Sequence, residues 1–207
     1  MRYLMLEKDK TALLVIDMQN DNISIGGKSE KSGAVEHAQK QHVVEHISSL
    51  INAAHKNNIP VFHNQFVVKK HAAGVGINAP IFKSITKIGS VVEDSWGAAT
   101  VDGIDISPED FVLKRTRMSA FNGTQLDILL KNLGITNVII TGVWTNMAVE
   151  HTARDAADYG YNVTIVTDGT ATINDEWQNV AMNYAMNNIA TKMSTKEILN
   201  ILGESNE

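Results

Sequence analysis

Five apolar residues in succession at 12–16, Ala-Leu-Leu-Val-Ile, show no polar alternation and stop at Asp17. That is the pattern of a strand covered on both faces. A second such run, Val-Ile-Ile at 138–140, breaks at Thr141-Gly142. Shorter runs predict strands at 59–63, 111–113, 162–167 and 189–193, the 111–113 strand ending at Lys114 and the last lying at an edge. Between the strands the period changes. Val43, Val44, Ile47, Leu50, Ile51 and Ala54 form one helical stripe and predict a long helix over 35–57. Further helices are predicted over 124–132, where Thr124 can cap, and from 148 to the stop at Gly160. Two more cover 174–187 and 194–202, the last opened by a Ser194/Glu197 capping box. Residues 67–105 carry little regular pattern, and a stretch that long predicts a lid or binding loop.

Strands alternating with helices predict the α/β class: a three-layer α/β/α sandwich around a mainly parallel six-stranded sheet, Rossmann-like, as one domain over 1–207. Ligands of such sheets sit beyond the carboxyl ends of the strands. Asp17, Lys114 and the 143–148 turn should therefore converge on one edge. There Asp17 is a candidate general acid or base with Lys114 as its charge partner, or one half of a structural ion pair. The turn opens a helix, whose first backbone N–H groups lack intrahelical partners and can face an anion. His63, at the end of the second strand, is expected to point into the same cleft. Trp144, Met147 and Phe121 are candidate pocket walls, Trp144 above all because it sits in the turn.

Composition narrows the chemistry. A net charge of −5 with no basic block argues against nucleic acid as the main partner. No apolar run approaches the ~18 residues of a transmembrane helix, and the first ten residues lack a signal core, so a cytoplasmic location is expected. The absence of cysteine removes disulfides, thiolate metal sites and cysteine nucleophiles together. His63, Asn64, Gln65 and His71 make no metal-ligand set, and neither metal nor cofactor is expected. No Gly-x-Gly-x-x-Gly follows a strand, which excludes a dinucleotide-binding module.

Three motifs together carry a family pattern: Leu-Leu-Val-Ile-Asp17-Met-Gln-Asn, Val-Leu-Lys114-Arg-Thr-Arg-Met-Ser-Ala-Phe-Asn-Gly-Thr124, and Thr-Gly-Val-Trp-Thr-Asn-Met-Ala148-Val-Glu-His-Thr-Ala-Arg-Asp155-Ala. In that order they resemble the isochorismatase-like hydrolase superfamily, over about residues 9–200. Most of that family are amidases with an Asp-Lys-Cys triad. The resemblance implies Asp17 as general base, Lys114 as the orienting cation, and Ala148 at the nucleophile position. It also implies a cis peptide at Val143–Trp144, an oxyanion site from the N–H groups of Trp144 and Ala148, and a homodimer or homotetramer acting on a small molecule. The nicotinamidase-type metal motif, Asp-x-His followed by a second His, is absent after the second strand.

A methyl group cannot attack a carbonyl, so Ala148 permits no thioester. Three readings are compatible with the sequence. In one, the chain is a cysteine-less hydrolase in which Asp17 donates a proton, as suits cleavage of a vinyl ether. Alternatively, it is an amidase or ureidase whose cysteine was replaced deliberately by Ala148. The third makes it a homologue that binds a small molecule without turnover. Thr145 lies in the turn as a possible substitute nucleophile, but three residues before Ala148 it should point elsewhere.

Overall fold

A computed structural model describes residues 6–204. In chain order the elements are β1 (Thr11–Ile16), α1 (Asn20–Ile23), α2 (Ala34–Lys40), α3 (Val43–Lys56), β2 (Val61–Phe66), α4 (Pro80–Ile88), β3 (Phe111–Arg115) and α5 (Leu126–Asn132). There follow β4 (Asn137–Val143), α6 (Glu150–Asp158), β5 (Asn162–Ala171), α7 (Asp175–Val180), β6 (Thr191–Met193) and α8 (Thr195–Leu202). Wider, π-type turns at Thr145–Val149 and Ala181–Ala185 precede α6 and follow α7. The six strands form one sheet in the order β3-β2-β1-β4-β5-β6, every pair parallel.

All six residues of β1 are buried, because both faces of the sheet are covered. Period two sorts them. Leu13 and Val15 pack with Val43, Ile47, Leu50 and Ile51 of α3 and with Ile198 and Leu202 of α8. Ala12, Leu14 and Ile16 pack with Leu126 and Leu130 of α5 and with Ala153 and Ala156 of α6. The predicted three-layer architecture is therefore the observed one. A third, smaller cluster of Phe66, Val68, Val75, Phe82, Val91 and Ala98 lies off the carboxyl end of β2.

Several boundaries differ from the predicted ones, and β2 runs on to Phe66, so that His63 stands within it and not at its end. The helix expected over 35–57 is two helices, α2 and α3, because His42 between them takes a left-handed conformation (φ 49°). β5 runs on to Ala171, with a register jump against β4 between Ile140 and Gly142. Within the 67–105 stretch lies α4, opened by Pro80 and closed by Gly89 at φ 64°. Its signal is present in the sequence, since Ile81, Ile85 and Ile88 recur at helical spacing. Among the described residues no helix is long and apolar enough to cross a membrane.

Candidate active site

Asp17 leaves β1 with φ 51°, a conformation that Asp tolerates better than bulkier residues do. Its N–H donates to the Asn64 carbonyl of β2 at 2.8 Å, which fixes the turn. The carboxylate is an acceptor in every contact it makes. Oδ1 accepts from the Phe66 N–H at 2.8 Å and from Arg115 Nη1 at 2.7 Å, and Oδ2 accepts from Arg115 Nη2 at 2.8 Å. Arg115 is itself fixed, donating through Nε and Nη2 to the Met118 carbonyl at 3.2 and 2.7 Å. Two parallel bonds between guanidinium and carboxylate, both partners buried, hold the pair in one orientation.

The cation beside Asp17 is thus Arg115 and not Lys114. Along β3, Phe111, Leu113 and Arg115 share one face while Val112 and Lys114 take the other. Lys114 is 55% exposed and its nearest carboxylate is Glu93, at 3.9 Å. This corrects the expectation that Lys114 partners Asp17. Strand alternation is the signal that finds Arg115, provided Phe111 is taken as the inward position.

The third converging segment begins at Gly142, where β4 crowds β1. A Cβ at Gly142 would lie 2.0 Å from the Ile16 carbonyl oxygen, and its φ is 106°, so only glycine fits. The Val143–Trp144 peptide is cis, the isomer the resemblance implies. The Trp144 carbonyl then accepts from the N–H groups of Met147 at 2.9 Å and Val149 at 3.3 Å, which winds the Thr145–Val149 turn. Ala148 is buried within it. The Thr145 hydroxyl donates to Gln178 Oε1 at 2.6 Å, a buried bond that engages it away from the position of Ala148.

Between these segments lies a cavity of about 100 Å³. Asp17, Val143, Trp144, Met147 and Ala148 line it, as do Ile81, Ile85 and Ile88 of α4. The buried carboxylate of Asp21 steadies the far wall, accepting from the N–H groups of Lys28 at 3.1 Å and Val91 at 2.7 Å. Two predicted pocket residues are elsewhere. Phe121 is buried in the core, its ring 5.3 Å from that of Tyr159 and 5.8 Å from that of Tyr161. His63 points to the α3 side of β2, where its Nε2 lies 3.1 Å from Asp110 Oδ2, and His55 Nε2 lies 2.7 Å from the other oxygen. Burial lowers the His63 imidazole from its ordinary value, against the opposing pull of Asp110. His63 stands inside β2 and Phe121 six residues beyond β3, and their side-chain directions depend on core packing that sequence does not fix. Among the described residues no group of three or more His, Asp or Glu is placed to hold a metal.

The chain matches the family model described as Isochorismatase domain over residues 11–197. It is 35% identical to a probable inactive nicotinamidase of Arabidopsis thaliana, over 89% of this chain and 92% of that protein. It is 33% identical to the ureidoacrylate amidohydrolase of Pantoea ananatis, over 84% of this chain and 74% of that one. The crystal structure of a cysteine hydrolase from Pseudomonas syringae pv. phaseolicola superposes with a TM-score of 0.84, covering 99% and 97% of the two chains. At 19% identity that likeness carries the fold alone.

Proposed function

The chain belongs to the isochorismatase family of hydrolases, and on that premise we propose that its site holds a small organic molecule without forming a covalent intermediate with it. One observation carries the reading. The Asp17 carboxylate is clamped through both oxygens by Arg115 and faces a cavity whose wall at position 148 is a methyl group. A base that activates a nucleophile needs a nucleophile within reach, and Ala148 supplies none. An acid must carry and deliver a proton, whereas every contact of this carboxylate is one that accepts. The same clamp weakens the acid–base reading that rests on Asp17 with Lys114 as its charge partner.

A second reading keeps one observation on its side. Asp17 still lines the cavity opposite the cis turn, so hydrolysis without an enzyme nucleophile would act through it. The two readings separate in one assay, hydrolysis of neutral amides, ureides and a vinyl ether by the parent protein and by the double variant Arg115→Lys/Ala148→Cys. The lysine gives a single-point cation in place of the fork, and the cysteine restores a nucleophile. The parent should bind without turnover, and the double variant should turn over an amide roughly 100-fold or more above the uncatalysed background. Turnover by the parent that disappears in Asp17→Asn would overturn the binding reading in favour of nucleophile-free hydrolysis.

A further inference from the structure

The sequence contains a single Asn-Gly step, Asn122-Gly123. It lies in the turn between β3 and α5, closed by the Asn122 N–H on the Ser119 carbonyl at 3.3 Å. Gly123 takes φ 76°, a conformation that glycine adopts without a side-chain penalty. Both residues are exposed. Among the described residues neither the Asn122 side chain nor the Gly123 N–H makes a hydrogen bond. The amides of Asn20, Asn22, Asn57, Asn137 and Asn162, by contrast, are all held as donors. Nothing lies within 4 Å of the place a Cβ would take on Gly123, so its backbone nitrogen is open to the neighbouring side chain and to water.

The surroundings carry charge of one sign. Asn122 and Gly123 line an open groove of about 540 Å³ beyond the carboxyl end of β3, together with Lys69, Lys114, Arg117 and one acid, Glu93. Arg115 also borders the groove, but its charge is met by Asp17. Arg117 is fixed, donating to the Gly76 carbonyl at 3.1 Å with its guanidinium 4.1 Å from the centre of the Phe82 ring. Among the described residues the one ion pair these three cations make is Lys114 with Glu93, at 3.9 Å. The groove is therefore locally positive in a chain of net charge −5. Positive surroundings favour a step in which negative charge develops.

We propose that Asn122 is a modification site at which the folded chain converts its own asparagine amide to a carboxylate, assisted by the charge of this groove. Water takes the Gly123 amide proton, and the nitrogen attacks Asn122 Cγ. As the N–Cγ bond forms, the Cγ–Nδ2 bond breaks and ammonia leaves with a proton from water, giving a five-membered succinimide. A second water opens the ring. Opening at Cγ gives aspartate, and opening at the Asn122 backbone carbonyl gives isoaspartate, whose chain is one methylene longer. The sum is one water in and one ammonia out, and no oxidant or cofactor takes part. The new carboxylate stands in the same groove as Lys69, Lys114 and Arg117. The longer isoaspartate chain would extend a segment pinned at Ala120, whose N–H donates to Thr152 Oγ1 at 3.0 Å and whose carbonyl accepts from Thr124 Oγ1 at 2.6 Å.

Peptide mapping by mass spectrometry tests this on the full chain kept folded at neutral pH, beside the urea-unfolded chain. In the folded chain the mass gain of amide-to-acid conversion should appear first at Asn122, ahead of exposed Asn179, as a mixture of aspartate and isoaspartate. Asn122→Gln should abolish it, because the longer side chain would have to close a six-membered ring. Lys114→Gln, which alters an exposed side chain, should slow it roughly twofold. Retention of the Asn122 amide in the folded chain while the unfolded chain loses it overturns the proposal, and so does conversion no faster at Asn122 than at Asn179. An unchanged rate in Lys114→Gln overturns the part given to the groove.

Discussion

Arg115 donates to Asp17 through both terminal nitrogens and to the Met118 carbonyl through Nε and Nη2, with no part of its side chain in water. Removing one partner of such a pair leaves a buried charge uncompensated. Arg115→Ala is therefore expected to lower unfolding stability by about 3–5 kcal/mol in urea titrations. Arg115→Lys should cost less, since an ammonium still reaches the carboxylate. A loss below about 1 kcal/mol for Arg115→Ala would show that the pair is better solvated than its burial indicates. Half of this pair was legible. Asp17 announces itself by standing directly after five buried apolar residues. Its partner does not, because Lys114 and Arg115 are adjacent cations and only the facing of β3 chooses between them.

Among the elements, the close pairing of β1 with β4 constrains the site most directly. Gly142 pairs with Ile16 in register, and the Ile16 carbonyl occupies the space a Cβ would need. Gly142→Ala should cost at least about 3 kcal/mol, from overpacking and a strained φ together. Gly89→Ala is the control: its φ is 64°, but nothing lies within 4 Å of the added Cβ, so about 1 kcal/mol is expected. Chemical denaturation of the two variants side by side measures the difference, and equal losses would show that β1 and β4 can part without cost. The turn at 141–144 was readable as a break between strand and helix. The close approach behind it was not, because it depends on which strand lies beside β4. Helix α4 was legible in its isoleucine spacing but not in its destination. Its face meets Asp17 and the 143–148 turn, from segments distant in the chain.

At the scale of the whole molecule, two buried histidines make stability depend on pH. Burial holds His37 and His63 below their ordinary value of 6.5, and Asp175 and Asp110 only partly oppose it. As pH falls, the unfolded chain therefore takes up protons at these positions before the folded one does. Their contribution is whole above pH 6.5 and is lost as pH falls below it toward the folded values. Thermal midpoints recorded over about pH 5 to pH 8 should decline on the acid side, and His63→Gln should flatten that decline. An unchanged slope in the variant would remove His63 from the effect. The sequence by itself determined the α/β class, the six strands, the meeting of Asp17 and the 143–148 turn at the carboxyl edge, and the methyl group at Ala148. These follow from local period, from burial of whole strands and from residue identity, which need no knowledge of distant neighbours. The tertiary structure alone decided that Arg115 clamps Asp17, that His63 and Phe121 turn away into the core, and that α4 walls the cavity which Asp17 lines. Each of these is a contact between segments far apart in the chain, and side-chain direction at such contacts is set by packing across the sheet.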